Sequence, residues 1–459
     1  MARATTPERP ATTDTPMAAT IRPLMPQLTA DLVQLARIPS ISEASFPPEP
    51  VHRAHSLVAE LLRDAGVRVS TLELPHTYPI VTGEIPAPPG APTVLLYGHY
   101  DVVPPGDASK WTSPAFEPTE RHGALYGRGT SDSKANILAH VGALRAFGGK
   151  PPVGIKVVIE GQEETGSAFN TYPPLEPDWF RTDAMVVADM GSVRPGVPTL
   201  TVALRGTAVV TIEVKTLAGP KHSGQYGGAA PDAMIALIHA LATLHDERGD
   251  VAVSGLRREQ WTGGSYSEEE FRELAEMLPG MPFFGTGSLG ERLWTGPAIT
   301  VTGIDALPVD KAVNAVVPYA RARLNLRVHP EQSADEAQDA LIRHLKVLRP
   351  FGIALHIEAG ATGNGFAART TGPAYDAARA ALSTAWGGDT VSVATGGSIP
   401  LVNALHMAAP DAEILLLGAT DGFSNIHAPN ERVLLSEFEK TVVAEAEFFR
   451  TYANRWGRR

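Results

Sequence analysis

Three almost wholly apolar stretches, TVLLYGHYD (93–101), GIKVVIEG (154–161) and AMVVAD (184–189), constrain this chain more than any other feature. Aliphatic runs without polar alternation are buried on both faces, as central strands of a parallel sheet are. Parallel neighbours need a crossover, and SKANILAHVGALRAFGG (133–149) reads as a crossover helix with a glycine stop. IRPLMPQLTADLVQLARI (21–38) and VHRAHSLVAELLRDAG (51–66) read as further helices, and VRVSTLEL (67–74) as a strand. The pattern is βαβ with a mainly parallel sheet.

The texture changes near residue 205. TAVVTIEVKTL (207–217), AITVTGID (298–305), PYARARLNLRVHP (318–330) and IALHIEAG (353–360) read as strands, several with the alternation of a sheet that has one wet face. PDAMIALIHALATLHDERG (231–249) starts a helix on proline, and SADEAQDALIRHLKVLR (333–349) starts one on a Ser/Glu capping box. After about residue 370 the α/β texture returns: PAYDAARAALSTAWGG (373–388) is a helix, EILLLG (413–418) a strand, and 434–456 a long terminal helix. The expected division is a flexible leader over 1–20, an α/β domain built from 21–204 and 371–459, and an α+β domain inserted at 205–370. A chain of 459 residues exceeds what one core usually serves.

Composition narrows the chemistry. There are no cysteines, so disulfides, thiolate metal sites and cysteine nucleophiles are excluded. A metal here must take imidazole and carboxylate ligands, which suits zinc, manganese or cobalt. The net charge of −11 argues against a nucleic-acid partner. No apolar run reaches the ~18 residues of a membrane span, and the first residues lack the apolar core of a secretory signal, so the expectation is a cytoplasmic protein with no membrane partner.

The charged groups fall at the ends of the apolar strands. His99 and Asp101 close the first, Glu163 and Glu164 follow the second, and Asp189 closes the third. Asp132 precedes the crossover helix, and His427 lies in the loop after EILLLG. Singly, each has an ordinary reading: a loop histidine, a helix cap, a solvated acidic turn. Together they converge, because ligands of open α/β sheets bind outside the carboxyl ends of the strands. Two adjacent glutamates are costly to bury unless positive charge compensates, and a metal centre supplies it. No G-x-G-x-x-G joins a strand to a helix, which removes a dinucleotide-binding dehydrogenase.

The motifs GHYDVVPP, GRGTSDSKAN, GQEETGS, VVADMGS, KHSGQYGG, GGSIP and NIHAPNE, in this order, resemble the aminoacylase, carnosinase and glutamate-carboxypeptidase family of dinuclear metallopeptidases, closest to its dipeptidase and carnosinase branch. The resemblance implies a hydrolase-like α/β/α sandwich with an inserted lid and dimerisation domain. It implies two divalent ions, zinc first, with Asp132 bridging them, His99 and Asp189 completing one site, and Glu164 and His427 the other. Asp101 then orients His99, and the Asp132–Ser133 peptide is expected to be cis. Glu163 stays uncoordinated as general base. His222 is expected to reach a partner's active site across a homodimer. Arg327 is the candidate for the substrate carboxylate, with Asn314 and the backbone at Gly397 and Ser398 assisting.

Two features depart from the family pattern. Asn314 stands one residue further from Pro318 than usual, and Ala394 and Thr395 occupy the region where carnosinase-like members carry a basic residue. The implied activity is hydrolysis of dipeptides or related amides with a free carboxylate. An N-acyl-amino-acid deacylase would use the same ligands with a different acyl pocket. A binding protein on a degenerate hydrolase scaffold would have lost a ligand or the base, and none is missing.

Overall fold

The computed structural model describes residues 15–397 and 399–456. The chain divides into two compact units. The first takes in the chain up to Val202, then Ala368–Val393, then the chain from Ala404; the second is Ala203–Ala367 with Ala394–Asn403. Residues 394–403, assigned from sequence to the α/β domain, therefore pack with the second unit. The leader also differs from expectation. Pro16–Ile21 is helical, Thr15 caps it by accepting from the Ala18 N–H, and Ala18 and Ile21 are buried. Proline at a first helical position behind a threonine cap explains the early start. Residues 1–14 lie outside the described residues.

In the first unit the sheet runs in the order Arg68–Leu72, Ile80–Ile85, Gly154–Glu160, Thr93–His99, Ala184–Ala188, Glu413–Leu417, Thr199–Leu204. Thr93–His99 pairs in parallel with both of its neighbours, and Glu413–Leu417 pairs in parallel with Ala184–Ala188. The outer pairings, of Arg68–Leu72 with Ile80–Ile85 and of Ile80–Ile85 with Gly154–Glu160, are antiparallel. The parallel strands are the apolar runs: every residue of Ala184–Ala188 and Glu413–Leu417 is buried. Helices Met25–Ala36, Glu49–Asp64, Lys134–Ala146, Pro373–Trp386 and Leu435–Trp456 contribute to one hydrophobic core with the strands. Lys134–Ala146 is buried almost all round, because helix Leu435–Trp456 packs against it as well.

The second unit is a four-stranded antiparallel sheet in the order Ala298–Asp305, Tyr319–Val328, Gly206–Lys215, His356–Gly363. Its central strands alternate cleanly. Ala208, Val210, Ile212 and Val214 face Ala320, Ala322, Leu324 and Leu326 in one core, covered by helices Ala233–Ala242 and Ala334–Val347. At Ala334–Val347 the Ser333 hydroxyl accepts from the Glu336 N–H at 3.4 Å, whereas both halves of a capping box form instead at Ser267 and Glu270.

Candidate metal centre and active site

The first unit brings His99, Asp101, Asp132, Glu163, Glu164, Asp189 and His427 together. His99 ends its strand fully buried, with Nδ1 3.3 Å from Asp101 Oδ1. Its Nε2 lies 3.0 Å from Asp132 Oδ1 and 3.3 Å from Asp189 Oδ1. The other oxygen of Asp132 lies 3.1 Å from His427 Nε2, which is also 3.0 Å from Glu164 Oε2. Asp132 thus belongs to two imidazole and carboxylate sets, one through each oxygen. The Asp132–Ser133 peptide is cis, as expected. His427 sits in a loop with positive φ at Asn425, His427 and Asn430 (52°, 60° and 63°), a conformation non-glycine residues seldom adopt and that clusters at functional sites.

Asp101 organises the other side. Its Oδ1 accepts the Glu163 N–H at 3.1 Å. Its Oδ2 accepts the Glu164 N–H at 3.1 Å and the Ser42 hydroxyl at 2.7 Å. Asp101 therefore fixes the backbone of both glutamates through its carboxylate, and the histidine ring through its backbone carbonyl at 3.2 Å and the charge beside it. This answers how two adjacent acidic residues are held: their side chains diverge while their amides share one acceptor. The Glu163 carboxyl makes no hydrogen bond among the described residues, and Glu164 turns toward His427.

The electrostatics are those of carboxylates crowded without a cation. Burial pushes Glu163 up to about 9, reinforced by Asp189, Glu164 and Asp101. Burial also raises Glu164 and Asp189. The histidines move to compensate. Hydrogen bonds to Asp132 and Glu164 push His427 up to about 10. Burial pulls His99 down, but Asp101, Asp132 and Asp189 outweigh it and raise it well above 6.5. Asp132 is opposed by burial yet held below the usual carboxylate range by the two histidines.

These residues fit a divalent metal. Ligand atoms of His99, Asp132 and Glu164 lie within 4.8 Å of one another. Glu164 Oε1 is shielded from solvent and has no hydrogen-bond partner, an orphaned acceptor that a cation would satisfy. With Nδ1 of His99 engaged by Asp101, Nε2 is the nitrogen left for a metal. Two other histidine and carboxylate groups in the second unit are already neutralised by arginine: Arg321 pairs with Glu213, and Arg257 with Glu259 and Glu331.

The remaining candidates belong to the second unit. His222 is exposed, and its Nδ1 accepts the Gly224 N–H at 3.1 Å. It pairs with Ala315, and the adjacent Ser223 N–H donates to the Asn314 carbonyl at 2.9 Å, so His222 and Asn314 are neighbours. Arg327 is half-buried opposite Thr207 and Ala298. Gly397 is exposed just before helix Pro400–Ala408; Ser398 lies outside the described residues. The sequence reading missed Ser42, Glu431 and Arg128. Glu431 stands inside the quoted NIHAPNE motif and Arg128 inside GRGTSDSKAN, and those positions were the signal available.

An α/β sheet whose strand ends present an imidazole and carboxylate cluster of this kind defines a metallohydrolase scaffold. Residues 95–451 match the model of Peptidase family M20/M25/M40, and the chain belongs to that family. It is an enzyme, a metallopeptidase. Cysteinylglycine-S-conjugate dipeptidase of Corynebacterium striatum is 40% identical over 370 residues, 79% of this chain and 81% of that protein. Beta-Ala-His dipeptidase of Rattus norvegicus is 28% identical over 86% of this chain and 87% of its own length. Among solved structures, human carnosine dipeptidase 1 has a TM-score of 0.77 at 24% identity, covering 95% of this chain and 98% of that one. An M20 metallo-carboxypeptidase of Sulfolobus solfataricus has a TM-score of 0.79 at 23% identity, covering 93% and 99%. The structural likenesses establish the fold. No helix among the described residues is long and apolar enough to cross a membrane.

Proposed function

We propose that the protein is a dinuclear metallodipeptidase, cleaving the amide bond of dipeptides that carry a free carboxylate. The observation that carries this reading is the sharing of Asp132 between two imidazole and carboxylate sets while Glu163 stands beside them unengaged. The names of the relatives, which are dipeptidases acting on cysteinylglycine conjugates and on β-alanyl-histidine, support it. His99, Asp132 and Asp189 would hold one ion, and Asp132, Glu164 and His427 the other. Zinc suits these donors, as do manganese and cobalt. When bound, such a pair supplies Lewis-acid polarisation of the scissile carbonyl and acidification of water.

The chain's own residues do the rest. Glu163 accepts a proton from the water that attacks the amide carbon and passes it to the leaving nitrogen as the C–N bond breaks, giving one acid and one amine. Its value of about 9 belongs to the cation-free site; positive charge nearby favours the ionised form that a base requires. Asp101 keeps His99 in the tautomer that leaves Nε2 free. In the second unit Arg327 is the guanidinium for the substrate carboxylate, with the Gly397 backbone and Asn314 beside it in role.

We further assign a homodimer through the second unit, with His222 acting in the partner's site. From Thr300 to Asp305 the edge strand is exposed on both faces, with Val301 and Ile304 44% and 45% exposed. An uncovered apolar edge is a pairing surface.

The test is hydrolysis of a panel by zinc-reconstituted protein: Cys-Gly, β-Ala-His, neutral dipeptides, and N-acetyl and N-succinyl amino acids. Dipeptides should be cut, and Glu163→Gln should keep its metal while losing roughly a hundredfold to ten-thousandfold in kcat. Cleavage confined to acylated amino acids would make the protein a deacylase. Failure of the wild type to bind metal would overturn the reading.

A further inference from the structure

We propose that Glu431 is a positioning residue: it sets the backbone that presents Asp132, and so the geometry in which the two imidazole and carboxylate sets meet. Glu431 is fully buried. Its Oε1 accepts the N–H groups of Ser131 and Asp132, each at 3.0 Å. Its Oε2 accepts Arg128 Nη1 at 2.6 Å and the Gly129 N–H at 3.0 Å. A carboxylate has about four acceptor positions, and all are used. Balancing the Arg128 charge needs only one of them. The other three hold the Gly129, Ser131 and Asp132 amides of the loop that ends on Asp132.

The same residue fixes the second ligand loop. Glu431 lies four positions after His427 in NIHAPNE. Its own carbonyl accepts the Gly127 N–H at 2.9 Å, at the start of the Asp132 loop. Its neighbour Asn430 accepts the Thr112 N–H and donates to the Lys110 carbonyl, each at 2.9 Å, anchoring the same end of the loop to a further segment. Asp132 and His427, 3.1 Å apart at their side chains, are thus joined a second time through Glu431. The residue does not touch the reacting atoms; it acts through the backbone of Asp132.

This inference rests on the metal reading above, and its test separates the two. Glu431→Gln keeps the shape, but either amide orientation turns an NH₂ toward two donors: the Ser131 and Asp132 N–H groups in one, the Gly129 N–H and the Arg128 guanidinium in the other. Glu431→Asp keeps the charge and withdraws it by one methylene. Zinc affinity is measured by competition with a chromophoric chelator, alongside urea unfolding with and without zinc. The expected result is a 10- to 100-fold weaker zinc affinity for Glu431→Gln, the range seen when residues behind metal ligands are changed, with a smaller loss for Glu431→Asp. The stabilisation conferred by zinc should shrink in step. Should the Gln variant not fold, the Asp variant carries the same comparison. Wild-type zinc affinity in the variants, even with lower zinc-free stability, would reduce Glu431 to a structural residue and overturn the inference. A wild type that binds no zinc would instead overturn the proposed function.

Discussion

Replacing Asp101 by asparagine tests how the site is held. Three donors bond this carboxylate, the Glu163 N–H at Oδ1 and the Glu164 N–H and the Ser42 hydroxyl at Oδ2, while His99 Nδ1 donates to the Asp101 backbone carbonyl at 3.2 Å and lies 3.3 Å from Oδ1. An asparagine offers one oxygen. If it replaces Oδ1, the Glu163 N–H keeps its acceptor. Ser42 can turn to accept from the new NH₂, since Thr165 Oγ1 lies 3.2 Å away to take its proton. The Glu164 N–H has no such alternative and faces a donor. The reverse orientation strands the Glu163 N–H instead and turns an NH₂ toward His99, whose Nδ1 keeps the Asp101 backbone carbonyl. One orphaned, partly buried N–H costs about 1–3 kcal/mol. An opposing term is relief of repulsion between Asp101 and Glu163, but Glu163 at about 9 is protonated at neutral pH, so there is little to relieve. The orphaned donor therefore wins. Zinc-free stability, read by urea unfolding in chelator at pH 7, should fall by about 1–3 kcal/mol. Zinc affinity should fall roughly 10- to 100-fold, because His99 loses a charged orienting partner and Glu164 its backbone anchor. Unchanged zinc affinity in a folded Asp101→Asn protein would refute the orienting role, whatever happened to stability.

Other expectations follow from the same reasoning. Burial pulls His140 down, but the Glu445 carboxylate at 2.7 Å outweighs it and raises His140 above 6.5. A raised folded value gives stability that is present below about 6.5 and lost as pH rises through the folded pKa. In Glu445→Gln the carboxylate charge is gone and burial is opposed by the Tyr97 carbonyl at 3.1 Å, so the difference between variant and wild type should change with pH in the opposite sense, the variant losing stability on acidification below about 6.5; parallel urea midpoints between pH 5.5 and 8.5 would sink this. Val301→Lys with Ile304→Lys should convert a dimer to monomer in light scattering while leaving zinc affinity at the wild-type value. A variant that stays dimeric would move the interface elsewhere.

Most of the cluster was legible because His99, Asp101, Glu163, Glu164, Asp189 and His427 end or follow apolar strands, where an open sheet presents chemistry, while Asp132 was legible from its place before the crossover helix. The strands themselves were legible from unbroken burial, as in Ala184–Ala188. Ser42 and Glu431 were not legible, because their partners lie far away in the chain. Glu431 meets Ser131 across 300 residues, and apart from its place in NIHAPNE nothing local distinguishes it from a loop glutamate. The unit boundary at 394–403 was missed for a related reason. Its apolar strand and helix fit either core, and only packing decides between them. The start of the fold was missed because Thr-Pro at 15–16 looks like linker composition until the helix behind it is seen to bury Ala18 and Ile21.

Strand Glu413–Leu417 lies between Ala184–Ala188 and Thr199–Leu204, in the body of the first sheet, although it is made after the whole second unit. A ribosome that has synthesised the first 400 residues has delivered His99, Asp132, Glu164 and Asp189 but neither that strand nor His427. The sheet at that stage has a gap in its middle, and helix Leu435–Trp456, which covers Lys134–Ala146, has not emerged. The order of synthesis thus withholds a working peptidase from the nascent chain until its last segment arrives, and a chain cut short before residue 413 should be recovered without an ordered first unit.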